Sequence, residues 1–150
     1  VAQRLPVIAH WGITAGRFFD VTQTALRSVD VSMVQTFTFL GKSDPASARL
    51  LAGLKAITGQ DNPRKVASPV GVAHAYDLVH LLARAIGRAG STERAAIRTA
   101  LEQLGPYRGV TRHFERPFTP ARHDALGPED VFMARFAADG AIEPLPAGKP

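Results

Sequence analysis

With 150 residues, 45% of them hydrophobic and 21% charged, the chain has the balance of a globular domain able to bury a core. It has no cysteine, which excludes disulfides, thiol nucleophiles and thiolate metal sites, and no stretch approaches the roughly 18 apolar residues of a membrane span. The formal charge of +5 is carried by scattered Arg and Lys with no basic run, so it argues for a solvated surface and against a nucleic-acid partner.

The apolar run at 5–9 predicts a buried strand followed by the Gly-containing loop Ala9-His10-Trp11-Gly12. Residues 16–26 suit a helix with Phe18, Val21 and Ala25 on one face. The alternating, β-branched and aromatic stretch 31–39 predicts the next strand. Asp44-Pro45 reads as an N-cap with Pro at the first helical position; Leu50, Leu51, Leu54 and Ile57 form the apolar stripe, and Gly59 ends the helix.

The polar stretch 60–65 is the expected internal boundary. Beyond it the longest helix, 71–89, would turn Val72, Tyr76, Val79, Leu82 and Ile86 inward and His74, Asp77, Arg84 and Arg88 outward. Gly90 stops it, and Ser91 is expected to cap a helix to about Leu104 with Ile97, Ala100, Leu101 and Leu104 inward. Strands are expected at 110–114 and 131–136, and a poorly ordered tail at 143–150. The order β-α-β-α, two helices and late strands points to an α/β fold.

Two polar clusters at the ends of apolar runs are the candidate ligand-binding residues. In open α/β sheets ligands bind outside the carboxyl ends of strands, so His10, Trp11 and Gly12 suit a cleft wall where Gly12 lets backbone approach a ligand. The competing reading is a Trp plugging the core beside a hydrogen-bonded His. For Tyr76 and Asp77 the alternatives are a phenol and a carboxylate facing a ligand, with Asp77 pairing an ammonium, or an apolar-stripe residue and a carboxylate serving the helix dipole. Of Phe37 and Phe39, one is expected in the core and the other, taken as Phe37, at the cleft. His74 and His80, six residues apart, fall on different helix faces, and no HExxH, GxSxG, Walker or GxGxxG pattern occurs, so metal, cofactor and enzymatic roles are not expected.

Taken together, 5–12, 34–39 and 72–78 resemble the C-terminal portion of the periplasmic substrate-binding proteins of branched-chain amino acid type ABC transporters. The Ala89-Gly90-Ser91 helix junction, Tyr107-Arg108-Gly109, Pro117-Phe118-Thr119-Pro120 and His123-Asp124-Ala125-Leu126 resemble the same family. The resemblance implies part of a type I periplasmic-binding fold with two Rossmann-like lobes. Residues 1–65 would be a second-lobe segment, 66–108 a helical segment returning to the first lobe, and 109–150 hinge-crossing strands and the C-terminal tail. It places His10, Trp11 and Gly12 where the second lobe meets ligand, and sets Trp11 or a neighbour where family members carry a carboxylate for the ligand's ammonium. Tyr76, with Asp77, matches the hinge-side tyrosine.

The implied role is an exported, periplasmic solute-binding component, not an enzyme. It would capture a small amino-acid-like or other amphiphilic molecule in an interlobe cleft for a membrane permease; a ligand-sensing regulatory domain on the same fold is the alternative. Val1 is followed by no basic-then-apolar leader, and a signal would be cleaved from an exported chain in any case. Apolar surface would then be covered by the N-terminal part of the family fold or by a second copy in a homo-oligomer.

Overall fold

The computed structural model describes residues 5–146. In chain order its elements are β1 (Val7–Ala9), α1 (Phe18–Leu26), β2 (Val31–Gln35), α2 (Pro45–Thr58), α3 (Pro69–Ala89) and α4 (Arg94–Glu102). The short strands β3 (Tyr107–Arg108), β4 (His113–Phe114), β5 (Phe132–Phe136) and β6 (Ile142–Pro144) follow, with 3-10 turns at Trp11–Thr14, Pro63–Lys65 and Pro128–Asp130. The chain divides into two compact units, Val1–Gly71 with Glu129–Pro150, and Val72–Pro128.

The first unit is built on a mixed sheet of order β1-β2-β5-β6, with β1 parallel to β2 and the other pairs antiparallel. Its core joins Met33, Ala134 and Ile142 with Ala9, Ile13, Phe132 and Phe136, and the Phe18 and Phe19 rings lie 6.0 and 5.4 Å from Phe136. The β5–β6 turn needs glycine at Gly140: its φ is +85°, and a Cβ there would meet the Phe19 ring at 2.8 Å. Arg64 grips that turn in a fork, with Nε donating to Asp139 Oδ2 at 2.8 Å and Nη2 to Asp139 Oδ1 and Glu143 Oε1, each at 2.9 Å.

The α2 helix follows its caps as the sequence predicts. Both Ala46 N–H and Ser47 N–H donate to the Asp44 carboxylate at 3.0 Å, Pro45 opens the helix, and Gly59 closes it at φ +73°. Burial opposes ionisation of Asp44, yet the bonds from Ser47 and Ala46 win and hold its carboxyl below the usual range.

Several expectations are corrected. The strand expected over 31–39 ends at Gln35, because Leu40 N–H donates to Thr38 Oγ1 and the chain bends through 36–39. The Gln35 side chain is fully buried with no hydrogen-bond partner among the described residues. Val21, Ala25 and Ile57, expected inward, are exposed, and the run expected as a buried strand is exposed at Leu5, Val7 and Ile8. The helix after Gly90 is capped at Glu93, not at Ser91, whose hydroxyl instead accepts from Glu93 N–H before the helix begins. Glu143 and Pro144, placed in the poorly ordered tail, form β6 with β5; the last four residues of that tail lie outside the described residues.

In the second unit, Leu81 and Ala85 of α3 pack with Ala100 of α4 and with Leu104; Ile97 and Leu101 join them as their spacing predicts. The buried row of α3 is Ala73, Asp77, Leu81 and Ala85. The expected inward face holds only in part: Val72, Tyr76 and Ile86 are half-buried, but Val79 is 64% exposed and Leu82 is exposed, because small alanines and a hydrogen-bonded aspartate pack closer than large apolar side chains. The strand expected at 110–114 is only β4, paired antiparallel with β3. Residues 109–112 turn sharply because Val110 and Thr111 direct their N–H groups to a side chain of α3.

Candidate functional site

His10, Trp11 and Gly12 sit at the carboxyl end of β1, where the strand runs into the 3-10 turn. His10 caps that turn: Gly12 N–H donates to its Nδ1 at 3.2 Å. The imidazole stacks on the Trp11 indole with centroids 3.7 Å apart and planes 38° apart. Thr14 is buried, and its hydroxyl donates to Trp11 O at 2.7 Å. The loop's own bonds thus position the indole, which is half-buried while His10 is exposed. A stacked imidazole and indole, the first exposed and the second half-buried, offer apolar area with polar tips, suited to a small amphiphile.

Phe37, by contrast, is only 2% exposed and meets Phe39 edge-on with centroids 4.8 Å apart. Both rings are core; the expected placement of Phe37 at a cleft is not what this packing gives.

Tyr76 and Asp77 point apart in chemistry as well as in place. Tyr76 is half-buried and packs on His80, centroids 4.2 Å apart, while His80 Nδ1 lies 2.9 Å from Tyr76 O. Asp77 is 3% exposed and its carboxylate accepts four bonds from its own chain. Oδ1 takes Tyr107 Oη–H at 3.0 Å and Val110 N–H at 2.8 Å; Oδ2 takes Thr111 N–H at 2.9 Å and Thr111 Oγ1–H at 2.5 Å. Burial and the adjacent Asp77 charge push the Tyr107 phenol well above its ordinary value. Gly109 is required here by close approach: a Cβ would lie 2.6 Å from Asp77 Oδ2. Sequence reasoning missed this clamp, since its partners lie 30 to 34 positions away.

A cavity of about 310 Å³ in the second unit is lined by His74, Asp77, Leu81, Thr111, Phe118 and His123, among others. Burial lowers the pKa of His74 against the opposing pull of Asp77, so the neutral ring is favoured. Among the described residues no cluster of His, Asp or Glu could hold a metal ion, and no helix is long and apolar enough to cross a membrane.

No family model matches the sequence, and no curated protein is similar to it at a significant level. Solved structures are similar in fold. A periplasmic binding protein type 1 from Bordetella pertussis Tohama I is 20% identical with a TM-score of 0.73, over 95% of this chain and 39% of that one. The branched-chain amino acid transporter substrate binding protein of Streptococcus pneumoniae, solved with isoleucine, is 20% identical with a TM-score of 0.65, over 93% of this chain and 37% of that one. An ABC transporter substrate-binding protein of Desulfitobacterium hafniense is 25% identical with a TM-score of 0.62, over 97% of this chain and 37% of that one. The chain therefore spans less than two-fifths of the length of these structures.

Proposed function

We propose, from the α/β, type I periplasmic-binding fold of this chain, that it serves a solute-binding protein of an ABC transporter. Such a protein captures a small amino-acid-like or other amphiphilic molecule outside the cytoplasm and delivers it to a membrane permease. Similar structures are named as binding proteins and not as enzymes, and one of them holds isoleucine.

The observation that carries the reading to this chain's own residues is the His10–Trp11 stack at the carboxyl end of β1. Strand carboxyl ends are where open α/β sheets receive ligands, and here an indole, an imidazole and Gly12 occupy that place. In this reading Trp11 supplies the apolar wall, His10 the polar contact and Gly12 the close backbone approach. Tyr76 is a separate candidate from the second unit. Asp77 acts through the 107–111 loop that it anchors, and Phe37 through packing.

Titration calorimetry of the whole protein against amino acids, amides and aromatic acids tests the proposal. At least one solute should bind, and Trp11→Ala should weaken it about tenfold or more, as loss of a buried aromatic contact does. Affinities indifferent to Trp11→Ala would remove the proposed wall.

A further inference from the structure

We infer that His10 is a specificity residue that selects a hydrogen-bond acceptor, so that the site takes a small planar carboxylate. The inference rests on the solute-binding reading above and deepens it.

The argument is a proton count. Gly12 N–H donates to His10 Nδ1, and a ring nitrogen that accepts carries no proton. A neutral imidazole has one ring proton, so it resides on Nε2. Turning the ring over would present a C–H to Gly12 N–H and forfeit the bond. The Trp11 indole, with its centroid 3.7 Å from that of the imidazole, packs on the ring and restrains its plane. Orientation and tautomer are therefore both set by the loop before any ligand arrives.

What His10 can then offer a ligand is Nε2–H, a donor. An ammonium carries only donors and finds no acceptor in that atom; a carboxylate accepts, and the ion-to-N–H bond is the stronger kind. The indole beside it favours a flat apolar body over a branched or strongly hydrated one. Together the two rings describe a ligand with a carboxylate at one end and a planar body behind it.

The test uses benzoate and benzylamine, which share a ring and differ in the charged end, titrated into the whole protein and two variants. Benzoate should bind, and benzylamine should bind at least tenfold more weakly. Gln at position 10 places an N–H near Nε2, so His10→Gln should hold benzoate affinity within about threefold. Asn keeps an acceptor near Nδ1 and loses the donor, so His10→Asn should weaken benzoate by about 10- to 100-fold. Nitrogen-15 NMR of the His10 ring in the wild type should show protonated Nε2, a readout that needs no ligand. Protonated Nδ1, tighter binding of benzylamine, or a His10→Asn variant that binds benzoate normally would each overturn the inference. If benzoate fails while an amino acid binds and is lost in Trp11→Ala, the acceptor selection falls and the solute-binding reading stands. If nothing binds, both fall.

Discussion

Asp77 and Arg64 each tie distant stretches of chain together, one in the second unit and one in the first, but in different surroundings. Asp77 is buried and accepts four bonds from Tyr107, Val110 and Thr111. Arg64 gives three bonds to Asp139 and Glu143 while all three side chains remain about 40% exposed. Geometry is good in both, so bond count does not distinguish them. Solvent does: water can replace what Arg64 loses, and nothing replaces what Asp77 leaves behind.

The largest effect should follow Asp77→Ala, which strands buried Val110 N–H and the Tyr107 and Thr111 donors. Urea unfolding should show a loss of about 2–5 kcal/mol, since each buried donor left without an acceptor costs about 1–3 kcal/mol. Faster amide exchange at Val110 and Thr111 should accompany it; a change under 1 kcal/mol would mean the loop holds itself. Next comes Gly109→Ala, which keeps every bonding group but drives a methyl into the Asp77 carboxylate. The expected cost is about 1–3 kcal/mol, typical of overpacking. An unchanged midpoint would show that the loop can back away.

The smallest effect belongs to the exposed clamp. Bonds from Arg64, and then from Ala141 N–H, hold the Asp139 carboxyl well below the usual carboxylate range. A depressed carboxyl contributes stability above its unfolded pKa and loses it as pH falls toward the folded value. Arg64→Gln should therefore cost little at neutral pH and less still in high salt. It should also blunt the part of acid destabilisation that begins below about pH 4. Identical acid profiles for the two proteins would remove Asp139 as a contributor.

The same contrast explains what the sequence made legible. The α2 helix is bounded by Asp44, Pro45 and Gly59, whose effects reach at most four residues, so its ends can be read directly. Likewise, α4 turns Ile97, Ala100 and Leu101 inward at plain helical spacing. The α3 face resists reading because its buried row contains two alanines and an aspartate, whereas size and hydropathy favour Val79 and Leu82. Asp77 looks like an exposed helix residue until Gly109 lets the 107–111 loop close on it. That contact also ends the strand expected at 110–114.

The His10–Trp11–Gly12 cluster was legible as a position, the end of a strand, while its ring stacking and the Gly12-to-His10 bond were not. Phe37 shows the converse: its alternation with Phe39 is plain, but not that both rings turn to the core.

Trp11 is the one tryptophan of these 150 residues, so its emission reports directly on the proposed wall. Titrating the protein with the solute that calorimetry identifies should quench or shift that emission along a saturating curve with the calorimetric midpoint. Trp11→Phe should abolish the signal. A solute that binds tightly by calorimetry and leaves Trp11 emission unchanged would contradict the account.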